Sequence, residues 1–206
     1  MRPITITGVT EKTGIEITTS FQTLVVKCNK PMNGEKIEVY LMDGDNSRED
    51  LIIRKELIKT LAEINAQRSG AFTSYKMPID LAKDSKLRLG GKRILTINLS
   101  ALTAGNTYTL EQLDGDGETD MPILYERSFM SVGNTLQKFN VANKSFLALP
   151  KANLKSIRLL TDNREEIRHN ADDLETLHMM HDELMMVHTT ADEATTTAKY
   201  FSVDLY

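Results

Sequence analysis

The chain has 206 residues, 40% hydrophobic and 26% charged with a net charge of −4, a balance that fits a globular protein and excludes both wholesale disorder and a basic nucleic-acid coat. Its single cysteine, Cys28, excludes an intramolecular disulfide and any zinc site built from several thiolates. No apolar run approaches the ~20 residues of a membrane-crossing helix, and the opening Met1-Arg2-Pro3-Ile4-Thr5-Ile6-Thr7 alternates where a secretion signal would carry an apolar block, so synthesis in the cytoplasm is expected.

Alternation of polar and apolar residues, the signature of half-buried strands, dominates the first half. Gly14-Ile15-Glu16-Ile17-Thr18-Thr19, the β-branched stretch 21–28 and Lys36-Ile37-Glu38-Val39-Tyr40-Leu41 read as three successive strands. The pattern then changes. Leu51, Ile52, Leu57, Ile58, Leu61 and Ile64 share one helical face, and Ser47 stands in capping position three residues before Asp50, which predicts a helix near 50–66. Strands resume at 72–81, 86–89, 93–99 and 107–110, and Gly90-Gly91 between the middle two suits a tight hairpin because glycine accepts positive φ.

The second half repeats this order. Residues 145–149 form a short apolar strand, Lys155-Ser156-Ile157-Arg158-Leu159 alternates as 36–41 does, Asp162-Asn163 marks a turn, and Leu174, Leu177, Met180 or His181, and Leu184 set a second helical face near 172–184. Tyr200-Phe201-Ser202-Val203-Asp204-Leu205 then closes the unit much as Tyr75-Lys76-Met77-Pro78-Ile79-Asp80-Leu81 closes the first. Two readings compete: an internal duplication, or one mixed sheet whose strands resemble one another because all strands alternate. The duplication implies a mainly β protein of two antiparallel β-sandwich, jelly-roll-like units with short inserted helices, 1–120 and 121–206, linked near 114–121.

These paired units, 36–64 and 155–184, each followed by a strand ending Ile79-Asp80-Leu81 or Val203-Asp204-Leu205, resemble the double jelly-roll coat proteins of tailless, membrane-containing bacteriophages. The resemblance covers most of the chain and is carried by pattern, with no signature motif. At 206 residues the chain is short for two jelly rolls, so loops must be trimmed or strands lost, which suits a minor or vertex shell protein or a single β-domain from elsewhere. The resemblance implies a structural capsid protein of a virion, made in the host cytoplasm, that is not an enzyme and takes no cofactor. It implies self-association as a trimer whose two β-units give pseudo-sixfold symmetry, with other shell proteins as partners. It allows for contact with a membrane surface, and implies neither a specific nucleic acid nor a small-molecule substrate.

Several side-chain groups carry chemistry of their own. The four histidines His169, His178, His181 and His188 lie beside Met179, Met180, Met185 and Met186, and on a helix His178 and His181 would share a face with Asp182 or Glu183 nearby as oxygen donors. A helical zinc-hydrolase site needs His at i and i+4 with Glu between, a spacing that His178-Met179-Met180-His181 does not supply, so the bland account is boundary histidines on an acidic helix. The loop Asp114-Gly115-Asp116-Gly117-Glu118-Thr119-Asp120 alternates oxygens in the manner of a calcium loop, as Asp43-Gly44-Asp45 does more briefly. Neither has Gly at the sixth place or Glu at the twelfth, and turn chemistry explains both. Lys83, Lys86, Arg88, Lys92 and Arg93 make a basic cluster around the glycine pair that reads as a phosphate contact or as a charge-protected edge. Acids outnumber Arg164 and Arg168 by ten to two between 162 and 193, leaving −8 there and +4 over 1–161, an asymmetry that reads as a solvated acidic helix or, in an assembling protein, as a means for one copy's acidic stretch to meet another's basic cluster.

No nucleophile stands with a base: Cys28 ends an apolar strand far from every histidine, and the pairs Glu165-Glu166 and Asp172-Asp173 are adjacent, so their side chains diverge. The leading expectation is therefore a self-assembling shell protein. A ligand-binding β-sandwich, a glycan-binding or calcium-dependent adhesin using 114–120, is the alternative, and an enzyme using the histidines comes third.

Overall fold

A computed structural model describes residues 3–44, 48–69 and 72–125 and, beyond them, six strands within 136–205. The chain divides into two units, Met1–Arg127 and Ser128–Tyr206.

In chain order the first unit runs β1 (Ile4–Thr7), β2 (Lys12–Ile17), β3 (Thr23–Cys28), β4 (Lys36–Asp43), β5 (Arg48–Leu57), α1 (Ile58–Ser69), β6 (Lys76–Asp80), β7 (Lys86–Leu87), β8 (Arg93–Ser100), β9 (Thr107–Leu113) and β10 (Glu118–Thr119). Apart from the short parallel pair β7 and β10, these strands build two four-stranded antiparallel sheets, in the orders β1-β9-β3-β6 and β2-β8-β4-β5. Leaving that pair aside, first pairs with last, second with next to last, and so inward to β4 with β5, while β9–β3 and β8–β4 join the pairs into sheets. This is one long antiparallel hairpin rolled over itself, a β-sandwich of jelly-roll-like order.

Alternation explains why the two sheets face each other. In β4 the buried residues Ile37, Val39 and Leu41 interleave with half-buried Lys36, Glu38 and Tyr40, and β8 does the same with Leu95, Ile97 and Leu99. Each such side chain removed from water contributes roughly 1.5–3 kcal/mol before conformational entropy opposes it. Strand β3 does not alternate in burial: Leu24 and Val26 enter the core between the sheets, while Val25 is equally buried but lies outside that core. Helix α1 packs against β6, the neighbour of β3, and adds Ile58, Leu61 and Ala62 to the core.

The helix is shorter than the 50–66 expected. Residues 50–57 belong to β5, which pairs along β4 from Asp43 opposite Arg48 to Lys36 opposite Leu57. Ten residues of β5 face eight of β4, and the register shifts twice, between Ile37 and Val39 and between Val39 and Tyr40. A bulge places consecutive residues inward, so Ile52 and Ile53 are both buried, and this adjacency imitates helical spacing in the sequence. The hairpin expected across Gly90-Gly91 is also different. The turn exists, with Gly90 and Arg93 exchanging backbone bonds at 2.9 and 3.0 Å, but no ladder extends from it. Residues 87–89 send their amides elsewhere: Leu87 to Phe21 O, Arg88 to Thr119 O and Leu89 to Ser20 Oγ.

The second unit contains β11 (Leu136–Asn140), β12 (Phe146–Pro150), β13 (Leu154–Thr161), β14 (Glu166–Asn170), β15 (Leu184–His188) and β16 (Ala198–Leu205). They form a four-stranded antiparallel sheet, β11-β16-β13-β14, and a two-stranded one, β12-β15. Again first pairs with last, second with fifth and third with fourth, so among the described residues this is the first unit's plan with one hairpin fewer. The register makes Phe139, Phe201, Leu159 and Ile167 successive partners across four strands, with Lys138, Ser202, Arg158 and Arg168 in the adjacent row.

By pairing order, the repeat equates β1 with β11, β2 with β12, β3 with β13, β6 with β14, β8 with β15 and β9 with β16. The sequence match had instead aligned 36–41 with 155–159 and 75–81 with 200–205. Those segments are not equivalent, since β4 and β13 take different places and β6 is an edge strand where β16 is central. The helix expected near 172–184 lies outside the described residues, except Leu184, which opens β15.

Candidate functional site: the basic cluster and the 114–120 loop

The basic cluster and the acidic loop, read separately in the sequence, form one site. Strand β7 pairs in parallel with β10, Lys86 opposite Glu118 and Leu87 opposite Thr119, which brings the two charged segments side by side. Lys86 Nζ lies 3.5 Å from Asp114 Oδ1, and Arg88 meets Glu118 at 3.1 Å and Asp120 at 3.2 Å. Arg93 Nη1 donates to Asp120 Oδ1 at 2.7 Å, and its Nη2 donates to the Asp120 carbonyl. Asp120 is thus held by two guanidiniums, which suit a carboxylate because their donors are fixed in a fork.

This arrangement changes what the site can do. Asp114, Glu118 and Asp120, the oxygens a cation would have used, already face cationic side chains, and among the described residues no group of three or more His, Cys, Asp or Glu is placed to hold a metal. The glycines serve the turn. Gly117 has φ +69°, and a Cβ on Gly115 would run into the Gln22 side chain. Arg88 and Arg93, the guanidiniums that a phosphate or a neighbour's acidic stretch would have sought, are neutralised within their own unit. Such exposed pairs each contribute on the order of 0.2–1 kcal/mol, so the cluster positions a loop more than it stabilises the fold.

Two buried polar networks were not visible in the sequence. Glu35, 5% exposed, accepts from the amides of Asn33 (2.8 Å) and Gly34 (3.0 Å) and from the Tyr108 hydroxyl (2.9 Å). The same hydroxyl accepts from Thr103 N at 2.9 Å and from Asn106 Nδ2 at 3.4 Å. Burial pushes the Tyr108 phenol above its ordinary value, partly offset by the Thr103 and Asn106 bonds, while the Glu35 carboxylate adds to the rise. The carboxylate and the phenol are occupied with each other and with backbone, a brace between the turn before β4 and strand β9.

The second network joins β3, β6, α1 and residue 125. Thr23 Oγ1 donates to Asp80 Oδ1 at 2.6 Å, and the Asp80 amide donates to Asn65 Oδ1 at 3.1 Å. Asn65 Nδ2 donates to Leu61 O at 2.7 Å, and the Tyr125 hydroxyl lies 2.7 Å from Asp80 O and 3.0 Å from Asn65 Oδ1.

The remaining sequence candidates are scattered. Cys28 is buried at the end of β3, where its sulfur accepts from Lys30 N at 3.4 Å and its thiol faces Asn29 Oδ1 at 3.7 Å. His169 lies on edge strand β14 opposite Ile157, and His188 ends β15 opposite Phe146. His178, His181, Asp182, Glu183, Met179 and Met180 lie outside the described residues, as do Asp45, Glu165, Asp172 and Asp173. Among the described residues no helix is long and apolar enough to cross a membrane. No protein-family model matches this chain, and no curated protein matches it.

Proposed function

We propose that this chain is a structural shell protein of a virion that assembles through its β-units, with copies of itself and other shell proteins as partners. The observation supporting this reading is the nested strand order shared by two consecutive units, four nested pairs in the first and, among the described residues, three in the second. A chain carrying two related units can place both in near-equivalent positions around a ring, and closed rings are how identical subunits satisfy their interfaces. Three copies would give a six-cornered tile. The polar groups of the first unit add support, because Glu35, Asp80, Asp120, Arg88 and Arg93 act as braces within the fold.

The internal pairing of the basic cluster refines the expected assembly. With Arg88 and Arg93 held by Asp120, contacts between copies fall to other, less charged surfaces, and association should survive high salt. Light scattering across a concentration series at low and high salt tests this, with a trimer expected in both. A strict monomer at high concentration, which no shell protein from the same source recruits, would remove the proposal.

A further inference from the structure

After β10 the chain does not leave the first unit freely. Ile123 N donates to Leu81 O at 2.8 Å, just beyond β6, and Tyr125 N donates to Ile52 O at 3.0 Å on β5. Strands β6 and β5 are edges of the two different sheets, so within a few residues the chain crosses from one sheet edge to the other. The β5 bulge makes the second contact available. Val39 pairs with Ile53 and Tyr40 with Leu51, so Ile52 has no partner opposite it in β4 and its carbonyl receives Tyr125.

We propose that residues 118–125 are a two-stage latch fixing the point where the chain leaves the first unit, with an ionic outer stage at Asp120 and a neutral inner stage at Tyr125. The outer stage is the pairing of Asp120 with Arg88 and Arg93, exposed enough for salt to screen it. The inner stage is the Tyr125 hydroxyl against Asp80 O and Asn65 Oδ1, with two backbone bonds beside it, all neutral and therefore indifferent to salt. Asn65 is held in the receiving orientation by its own bond to Leu61 O.

Two features make the latch able to open without unfolding the sandwich. Met121 and Leu124 between the fixed points are 79% and 54% exposed and resist lifting little, and the apolar hold at the segment's end is partial, with Tyr125 packed half-buried against the core. Lifting residues 121–125 would release roughly 16 Å of extended chain from the first unit at ~3.3 Å per residue. Different reaches would let one chain serve positions that are not quite equivalent. The latch itself rests on the first unit alone and stands whether or not the chain builds a shell.

Amide exchange on the full chain, read by NMR, tests it without reference to assembly. In the wild type, 1 M salt should speed exchange at Met121 and at Arg88, whose amide bonds Thr119 O, and leave Ile123 and Tyr125 unchanged. Tyr125→Phe keeps the ring and removes the hydroxyl, and should speed exchange at 123 and 125 by roughly three- to tenfold, the range expected for one hydrogen bond. Leu24 and Val26, deep in the core, should keep their rates, showing that the variant is folded. Unchanged rates at 123 and 125 in Tyr125→Phe would overturn the proposal. So would wild-type rates at those two positions equal to those of Leu24 and Val26, since the segment would then open only on global unfolding.

Discussion

Replacing Tyr108 by Phe isolates the Glu35 brace. The ring stays, so the apolar packing of a residue 1% exposed is kept, and only the hydroxyl is lost. Glu35 retains the Asn33 and Gly34 amides but loses a hydrogen bond to a charged acceptor, worth about 1.5–3 kcal/mol, and the Thr103 amide loses its acceptor as well. We expect Tyr108→Phe to lower stability by about 2–3 kcal/mol in urea unfolding, with the slope unchanged because the area exposed on unfolding is the same. Glu35→Gln combined with it in a double-mutant cycle should show strong coupling between the two sites. pH supplies a second readout. The phenol is raised in the folded protein, chiefly by burial, so above pH 10 the unfolded chain releases this proton while the native chain retains it. Native protein then binds more protons than unfolded protein, and stability falls as pH rises through that window. Wild type should lose stability above pH 10 more steeply than Tyr108→Phe, with Tyr40, also raised by burial and Glu38, contributing equally to both. A variant within about 0.5 kcal/mol of wild type, with the same alkaline slope, would refute the account of this network.

Leu24→Ala, at a position with no exposure between the two sheets, should cost about 2–5 kcal/mol in the same assay, through lost transfer energy and the cavity left behind. Asp120→Asn should cost less than about 1 kcal/mol at low salt, and the difference from wild type should vanish in 1 M salt, as thermal melts in the two buffers would show. Truncation after Glu193 removes β16, which pairs with both β11 and β13, so the second unit should lose its cooperative structure while the dispersed amide spectrum of the first unit persists. A truncated chain with the full wild-type spectrum would count against the central place of β16.

What the sequence revealed depended on the range over which each signal acts. Alternation is local, and Ile37, Val39 and Leu41, or Leu95, Ile97 and Leu99, announce their strands without help from elsewhere. The same local reading failed at Ile52 and Ile53, because a bulge is a relation between two strands and appears in one strand's sequence only as misplaced apolar residues. Both halves of the charged site were legible, Arg88 and Arg93 in one stretch and Glu118 and Asp120 in another. That they face each other follows from the parallel β7–β10 contact, which no local pattern encodes. The Glu35–Tyr108 and Thr23–Asp80 bonds join residues 73 and 57 positions apart and carry no sequence signal.

The rolled hairpin also dictates an order of events during folding. In the first unit β4 and β5 are separated by four residues, whereas β1 and β9 bring together partners such as Thr7 and Thr107, 100 positions apart. Closing a long loop costs more entropy than closing a short one, by about 0.6 kcal/mol for each doubling, so the inner pair should form first and each outer pair should close a loop already shortened by the one inside it. Mutational φ-values should therefore be high along β4 and β5 and low in β1 and β9, and the reverse pattern would contradict this order. The second unit repeats the situation around β13 and β14, again four residues apart, giving the chain a separate nucleus in each half. On the ribosome the first nucleus emerges early, yet the sandwich around it cannot close until residue 113 has been synthesised, so from residue 28 to residue 113 the nascent chain carries an open edge on β3 awaiting β9.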